Sequence, residues 1–201
     1  MTDVRIASDG AELWATVASP TRKAPKQPGV IFCHGFPSGP ADGSVVGRDM
    51  PQLADRVAAE MGWTALAFSF RGCGDSTGQF SLEGWANDVE AVIGWVVASG
   101  EVHNVWVAGF GTGGALGLCA GARSQAVAGV AALGAPADFA DWAAHPKRLL
   151  EHARSSGVIS SGEYPPSLDR WARQLRELRA EGCAGGLSDR PVLLVHGSED
   201  E

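Results

Sequence analysis

Five short runs along the chain are apolar almost without a break: Gly29–Cys33, Thr64–Phe68, Val105–Ala108, Val127–Leu133 and Val192–Val195. A strand with one wet face alternates in polarity, whereas a strand buried on both faces does not. The runs therefore predict a parallel sheet covered by helices on its two sides. Helical periods fall between them. In Met50–Met61, Leu53, Val57 and Met61 recur four apart on one face. From Ser81, an N-cap by residue type, to Val97, the apolar Trp85, Val89, Val92 and Val96 recur at spacings of three and four. Gly113–Ala122 is rich in Gly and Ala and suits a helix lying close on a sheet. Strand and helix alternate from Gly29 onward, which makes the class α/β. Ahead of this alternation, Val4-Arg5-Ile6 and Leu13–Val17 flank the turn dipeptide Asp9-Gly10 and predict an antiparallel hairpin. Pro20 to Pro28 reads as a basic, proline-containing connector.

The rhythm fails between Ala137 and Asp189, where no buried strand is visible. Two amphipathic stretches, around Trp142–Arg154 and Leu168–Arg179, are separated by Gly157, Gly162, Pro165 and Pro166. Two readings stay open for 137–189: a helical insertion over the C-terminal edge of the sheet, where ligands bind in open α/β sheets, or an ordinary pair of sheet-covering helices. In either case 1–201 reads as a single domain.

Composition narrows the classes. With 45% apolar and 19% charged residues the chain is globular rather than disordered. A net charge of −7 argues against nucleic acid or an anionic membrane as the main partner. The N-terminus lacks a basic segment followed by an apolar stretch, and no run approaches the roughly 18 apolar residues of a membrane helix. Cys33, Cys73, Cys119 and Cys183 are scattered without a CxxC pair or a disulfide framework, so reduced thiols and a cytoplasmic setting are expected. The five histidines show no metal-ligand spacing, and no cofactor or metal is expected.

Four short motifs sit at the ends of predicted strands: His34-Gly35-Phe36-Pro37, Arg71-Gly72-Cys73-Gly74-Asp75-Ser76, Gly109-Phe110-Gly111-Thr112-Gly113 and His196-Gly197-Ser198-Glu199-Asp200. In the first, glycine lets the backbone leave the strand and frees the next amide to point at a developing oxyanion. Taken in this order, the motifs resemble those of the α/β hydrolases of the esterase, peptidase and acyl-hydrolase type. The match covers nearly the whole chain. HGFP is similar to the family's oxyanion loop, RGCGDS to its G-x-G-x-S loop, GFGTG to the G-x-S-x-G nucleophile elbow and HGSED to the loop that carries the triad acid.

The resemblance implies that the amides of Phe36 and Thr112 form the oxyanion hole and that Asp200 is the acid. It puts Gly111 where the nucleophile belongs, and glycine has nothing to attack with. The family's general base is a histidine beyond the acid, and the chain stops at Glu201. No residue can be matched to that base, a final strand and helix are expected to be missing, and the sequence reads as a fragment. Trp142 and Trp171 are candidates to line a substrate pocket beneath the insertion or, alternatively, to anchor its helices. Cys73 and Thr112 are weaker nucleophile candidates, and His34 and His196 read as structural. The function expected is that of an ester- or amide-hydrolase-type protein that does not hydrolyse, a pseudoenzyme whose partner is a small acyl compound. The alternatives are an active cofactor-free enzyme seen through an incomplete or variant sequence, and a non-catalytic ligand- or protein-binding module.

Overall fold

A computed structural model describes residues 1–22 and 27–199. Strands β1 (Thr2–Ser8) and β2 (Ala11–Ala18) form the expected hairpin. Asp9 and Gly10 have φ of 38° and 76°, the two positive values that a two-residue turn needs to match the strands' twist. Each apolar run is then a strand: β3 (Gly29–Cys33), β4 (Thr64–Phe68), β5 (Val105–Phe110), β6 (Val127–Leu133) and β7 (Val192–Val195). The sheet order is β1-β2-β4-β3-β5-β6-β7, parallel from β4 to β7. β1 and β2 are joined to it antiparallel, through the β2–β4 pair. At the far edge the four side chains of β7 are exposed.

Helices α1 (Met50–Met61), α2 (Leu82–Ala98) and α3 (Thr112–Arg123) cover the two faces. Val30, Phe32, Ala65 and Ala67 lie under α1. Ile31, Cys33, Leu66, Phe68, Val105 and Val107 lie under α2 and α3. Ser81 caps α2 as its sequence predicts, its Oγ accepting from the Gly84 amide at 3.0 Å. The face of α1 turns out differently. Ala54 and Ala58 are buried, Leu53 and Val57 are only partly so, and Met61 is exposed. A methyl side chain lets the helix axis approach the sheet, and the larger residues then straddle the contact.

The segment 137–189 is helical throughout its regular structure: α4 (Ala140–Ala144), α5 (Pro146–Ser155), α6 (Leu168–Glu177) and α7 (Ala180–Ala184). Pro146, which has no N–H to continue a helix, divides the first amphipathic stretch into α4 and α5. Both readings of this segment hold in part. The turn after α5 is bonded to the loops that leave β3 and β4, with Ala41 N donating to Ser155 O (2.9 Å), Gly43 N to Ser156 O (2.8 Å) and Phe80 N to Val158 O (2.9 Å). That places the turn at the C-terminal edge of the sheet. By contrast, α7 packs on α3 as a covering helix.

The expectation of four reduced thiols is corrected here, because Cys119 of α3 and Cys183 of α7 form a disulfide. Sequence spacing hid the pair: the cysteines are 64 residues apart and meet only because α7 folds back on α3. Cys33 and Cys73 are free and buried. No helix among the described residues is long and apolar enough to cross a membrane.

The disulfide closes a long loop and removes conformations from the unfolded chain. Cys183→Ser is expected to lower stability by about 4 kcal/mol on the chain-entropy account. Urea unfolding of the variant and of the oxidised native protein measures this, and equal midpoints would contradict it.

Candidate active site at the strand-to-helix turn

The chain passes from β5 into α3 through Gly111, whose φ of 52° and ψ of −124° lie in a region that side-chain-bearing residues rarely occupy. The bend is held from both sides. The Gly111 amide donates to Leu133 O of β6 (2.8 Å), and its carbonyl accepts from Gly114 N (2.9 Å) and Ala115 N (3.2 Å). A Cβ built on Gly111 would meet only the Gly35 Cα, at 3.7 Å. The apex therefore has room for a side chain and lacks one.

Its neighbours have no such room. A Cβ on Gly109 would sit 2.4 Å from the Gly113 carbonyl oxygen, and one on Gly113 would sit 2.3 Å from that of His34. Strand, helix and the loop after β3 thus meet backbone on backbone. Gly35 completes the contact, since its Cβ would lie 3.2 Å from Phe110 O. The two segments whose amides are expected to form an oxyanion hole, at Phe36 and Thr112, are in this way brought together. Thr112 opens α3, so its N–H has no acceptor within the helix.

His34 is buried and serves this geometry. Its Nδ1–H donates to Gly35 O (2.8 Å), and its Nε2 accepts from the Phe70 amide (3.1 Å). Its ring lies edge-on to Phe70 and Trp85. Burial, partly opposed by the Gly35 hydrogen bond, lowers its pKa from 6.5 to about 4. A neutral imidazole that bridges two loops is structural, as its sequence context suggests.

A second buried group was not legible in the sequence. Arg71, from the loop after β4, pairs with the fully buried Asp88 of α2 at 2.8 Å. The Asp88 carboxylate also accepts from the Arg71 amide (2.9 Å) and the Ser8 hydroxyl (2.7 Å). Trp85 Nε1 donates to the Arg71 carbonyl (3.0 Å). Both carboxylate oxygens of Asp88 and the Nε and Nη2 of Arg71 are thereby bonded, which is what makes a buried charge pair tolerable. The neighbouring Cys73 is no nucleophile. It is fully buried, and desolvation, with the Asp88 charge adding, pushes its thiol well above the usual range.

A cavity of about 380 Å³ opens where the insertion meets Phe36 and Pro37. Its other wall is Asp141, Trp142, His145, Arg148, Leu149 and His152. Trp142 thus reaches the cavity, its ring 5.0 Å from that of Phe36. Trp171 does not line it; it is buried as an anchor, its Nε1 donating to Phe80 O (3.2 Å). His152 is half-buried, and its Nε2 is 2.9 Å from Pro37 O. Only the amphipathic period of α5 hinted at an inward face there. Asp200 lies outside the described residues. Among those described, no group of three or more His, Cys, Asp or Glu could hold a metal ion.

Comparison with known proteins agrees with this fold. The family model described as alpha/beta hydrolase fold matches residues 28–156. A crystal structure of an α/β serine hydrolase without lid from Xanthomonas campestris is 27% identical with a TM-score of 0.56. The match covers 68% of this chain and 62% of that one, so the chain spans less than two thirds of that relative. Est1E from Butyrivibrio proteoclasticus is 22% identical over 99% of this chain and 79% of its own, with a TM-score of 0.71. Proline iminopeptidase from Mycobacterium smegmatis is 20% identical over 99% and 82%, with a TM-score of 0.60. At these last two identities the likeness is one of fold. No curated protein matches the chain.

The depressed pKa of His34 makes stability depend on pH. Between pH 4 and 6.5 the unfolded chain binds a proton that the native ring refuses, so stability is intact above 6.5 and falls as the pH drops toward 4. The loss is roughly 3 kcal/mol over the window. His34→Gln keeps a donor and an acceptor and is expected to remove most of that slope, as read by urea unfolding at pH 7 and pH 5. An unchanged slope would place the acid sensitivity elsewhere.

Proposed function

The chain belongs to the α/β-hydrolase-fold family, and from this premise we propose that it binds a small acyl compound at the family's site without hydrolysing it. The observation that carries the reading is Gly111, a residue with the backbone conformation of a nucleophile and no atom beyond Cα to act as one. Acyl hydrolysis of this type needs an oxygen or sulfur at that apex to form the acyl intermediate. Loss of the nucleophile in a triad enzyme costs about 10⁶ in turnover, equivalent to roughly 8 kcal/mol of barrier. The described alternatives do not make up the loss. Thr112 is buried one step into α3, and Cys73 is sealed in the core.

What remains favours binding. The amides we assign to an oxyanion hole, Phe36 and Thr112, need no side chain at 111 to receive a carbonyl oxygen. We assign Asp200 as the acid of the ancestral triad, and Trp142 to the wall that the ligand meets. Serine hydrolase chemistry belongs to the Xanthomonas relative by its description. Here the site is read as that scaffold without its reactive group.

The purified protein is expected to show no hydrolysis of p-nitrophenyl acetate beyond a slow background and no labelling by a fluorophosphonate. An ordinary enzymatic rate, about 1 s⁻¹ or faster, together with labelling, overturns the reading. Gly111→Ser is expected to fold, because its Cβ enters open space, at a cost of about 1–3 kcal/mol for a side chain in that conformation. Urea unfolding of the variant beside the native protein measures that cost, and a variant that fails to fold would contradict the open space at the apex.

A further inference from the structure

We propose that the cleft between Phe36-Pro37 and the α4–α5 corner recognises a monocarboxylate with a flat apolar body, and that Arg148 is the anchor of its carboxylate. The inference rests on the binding reading above and names the class of ligand. The cavity, at about 380 Å³, lies at the small end of the range typical of small-molecule sites, roughly 300–1,000 Å³. A single ring with a short acid arm suits it better than an extended chain.

The lining divides by chemistry. Phe36, Trp142 and Leu149 supply apolar contact, the Phe36 and Trp142 rings packed edge to face with centroids 5.0 Å apart into one apolar wall. The polar side chains differ in what they already do. His152 holds Pro37 O through Nε2, and His145 Nδ1 lies 3.3 Å from the Asp141 carboxylate and 3.2 Å from the Asp141 carbonyl. Arg148, in contrast, forms no ion pair or hydrogen bond among the described residues, although it lines the cavity. A guanidinium is a planar fork that fits a carboxylate with two parallel hydrogen bonds. An exposed, unpaired one on the rim of a cleft with one apolar wall is a place for an acid.

Asp141 sets the charge of the ligand. Its carboxylate stands on the same rim, so a second negative charge on the ligand would be repelled while a single one can be met by Arg148. This favours a monocarboxylate over a phosphate. The cleft takes Phe36 and Pro37 from the same loop whose Gly35 packs on Gly111.

Calorimetric titration of the full chain tests this with 3-phenylpropanoate, its neutral amide and inorganic phosphate. The acid is expected to bind about tenfold or more tightly than the amide, a usual value for one charge-assisted contact. Arg148→Gln should erase that preference, and Arg148→Lys should keep part of it. Both replacements sit on an exposed face of a helix and are good helix formers, so folding is retained. Equal binding of acid and amide, an unaltered preference in Arg148→Gln, or phosphate binding as tight as the acid would each overturn the assignment. The two ideas fail separately. A protein that cleaves esters yet binds the acid through Arg148 contradicts only the non-hydrolytic reading. A silent protein indifferent to the acid contradicts only the ligand class.

Discussion

The structure depends on three pieces of backbone meeting with no side chain between them. The end of β5, the first turn of α3 and the loop leaving β3 touch at Gly109, Gly113 and Gly35, where an added Cβ would stand 2.3–3.2 Å from a carbonyl oxygen. Such distances leave no freedom to slide. They fix where α3 starts, and hence where its first amides point, and they seat the His34–Pro37 loop against the turn. Energetically the contact is supported from behind by apolar burial. Val105 and Val107 of β5 and Leu116 and Cys119 of α3 share one core, and each large side chain so buried is worth about 1.5–3 kcal/mol. The site is thus a by-product of close packing, held rigid by the same atoms that hold the fold.

The loops around it are pinned by polar bonds rather than by packing alone. Arg71 and Asp88 tie the loop after β4 to α2 and, through Ser8, to the first strand. Removing one partner of such a pair would strand the other charge in the core at a cost of about 3–5 kcal/mol. The insertion is bonded to the loops after β3 and β4, carries Trp171 as a peg under Phe80, and shares its last helix with α3 through the disulfide. With so many attachments it forms a fixed wall to the cleft and not a swinging lid.

How far the sequence could be read follows from the range of each interaction. Burial leaves a local mark, an unbroken apolar run, and it made β3 to β6 visible; β7 carries the same run although its side chains are exposed at the sheet edge. The hairpin and α2 were visible through Asp9-Gly10 and the Ser81 cap, which act within a few residues. Ala54 and Ala58 show the limit of the periodicity argument: it favours the bulkiest face, whereas the sheet admitted the slimmest. The Arg71–Asp88 pair, the bond from His152 to Pro37 and the Cys119–Cys183 link join residues 17, 115 and 64 positions apart. No local pattern encodes them, and each needed the topology first. The disulfide also withdraws the support that scattered thiols lent to a reducing compartment, since such bonds persist mainly in oxidising surroundings.

At the apex itself, sequence and structure pull apart in an instructive way. Glycine could take almost any φ and ψ, yet Gly111 is held in one tight strand-to-helix bend, at φ 52° and ψ −124°. The reason lies outside the residue: Leu133 O draws its amide, Gly114 and Ala115 draw its carbonyl, and the glycine contacts on either side leave the chain no other path. A bend imposed by its surroundings persists whether or not anything reactive sits on it. It follows that the presence of the turn says nothing about catalysis, and that glycine there is more relaxed than serine would be by about 1–3 kcal/mol. Fold and reaction are separable because the first is held by many atoms and the second rests on one.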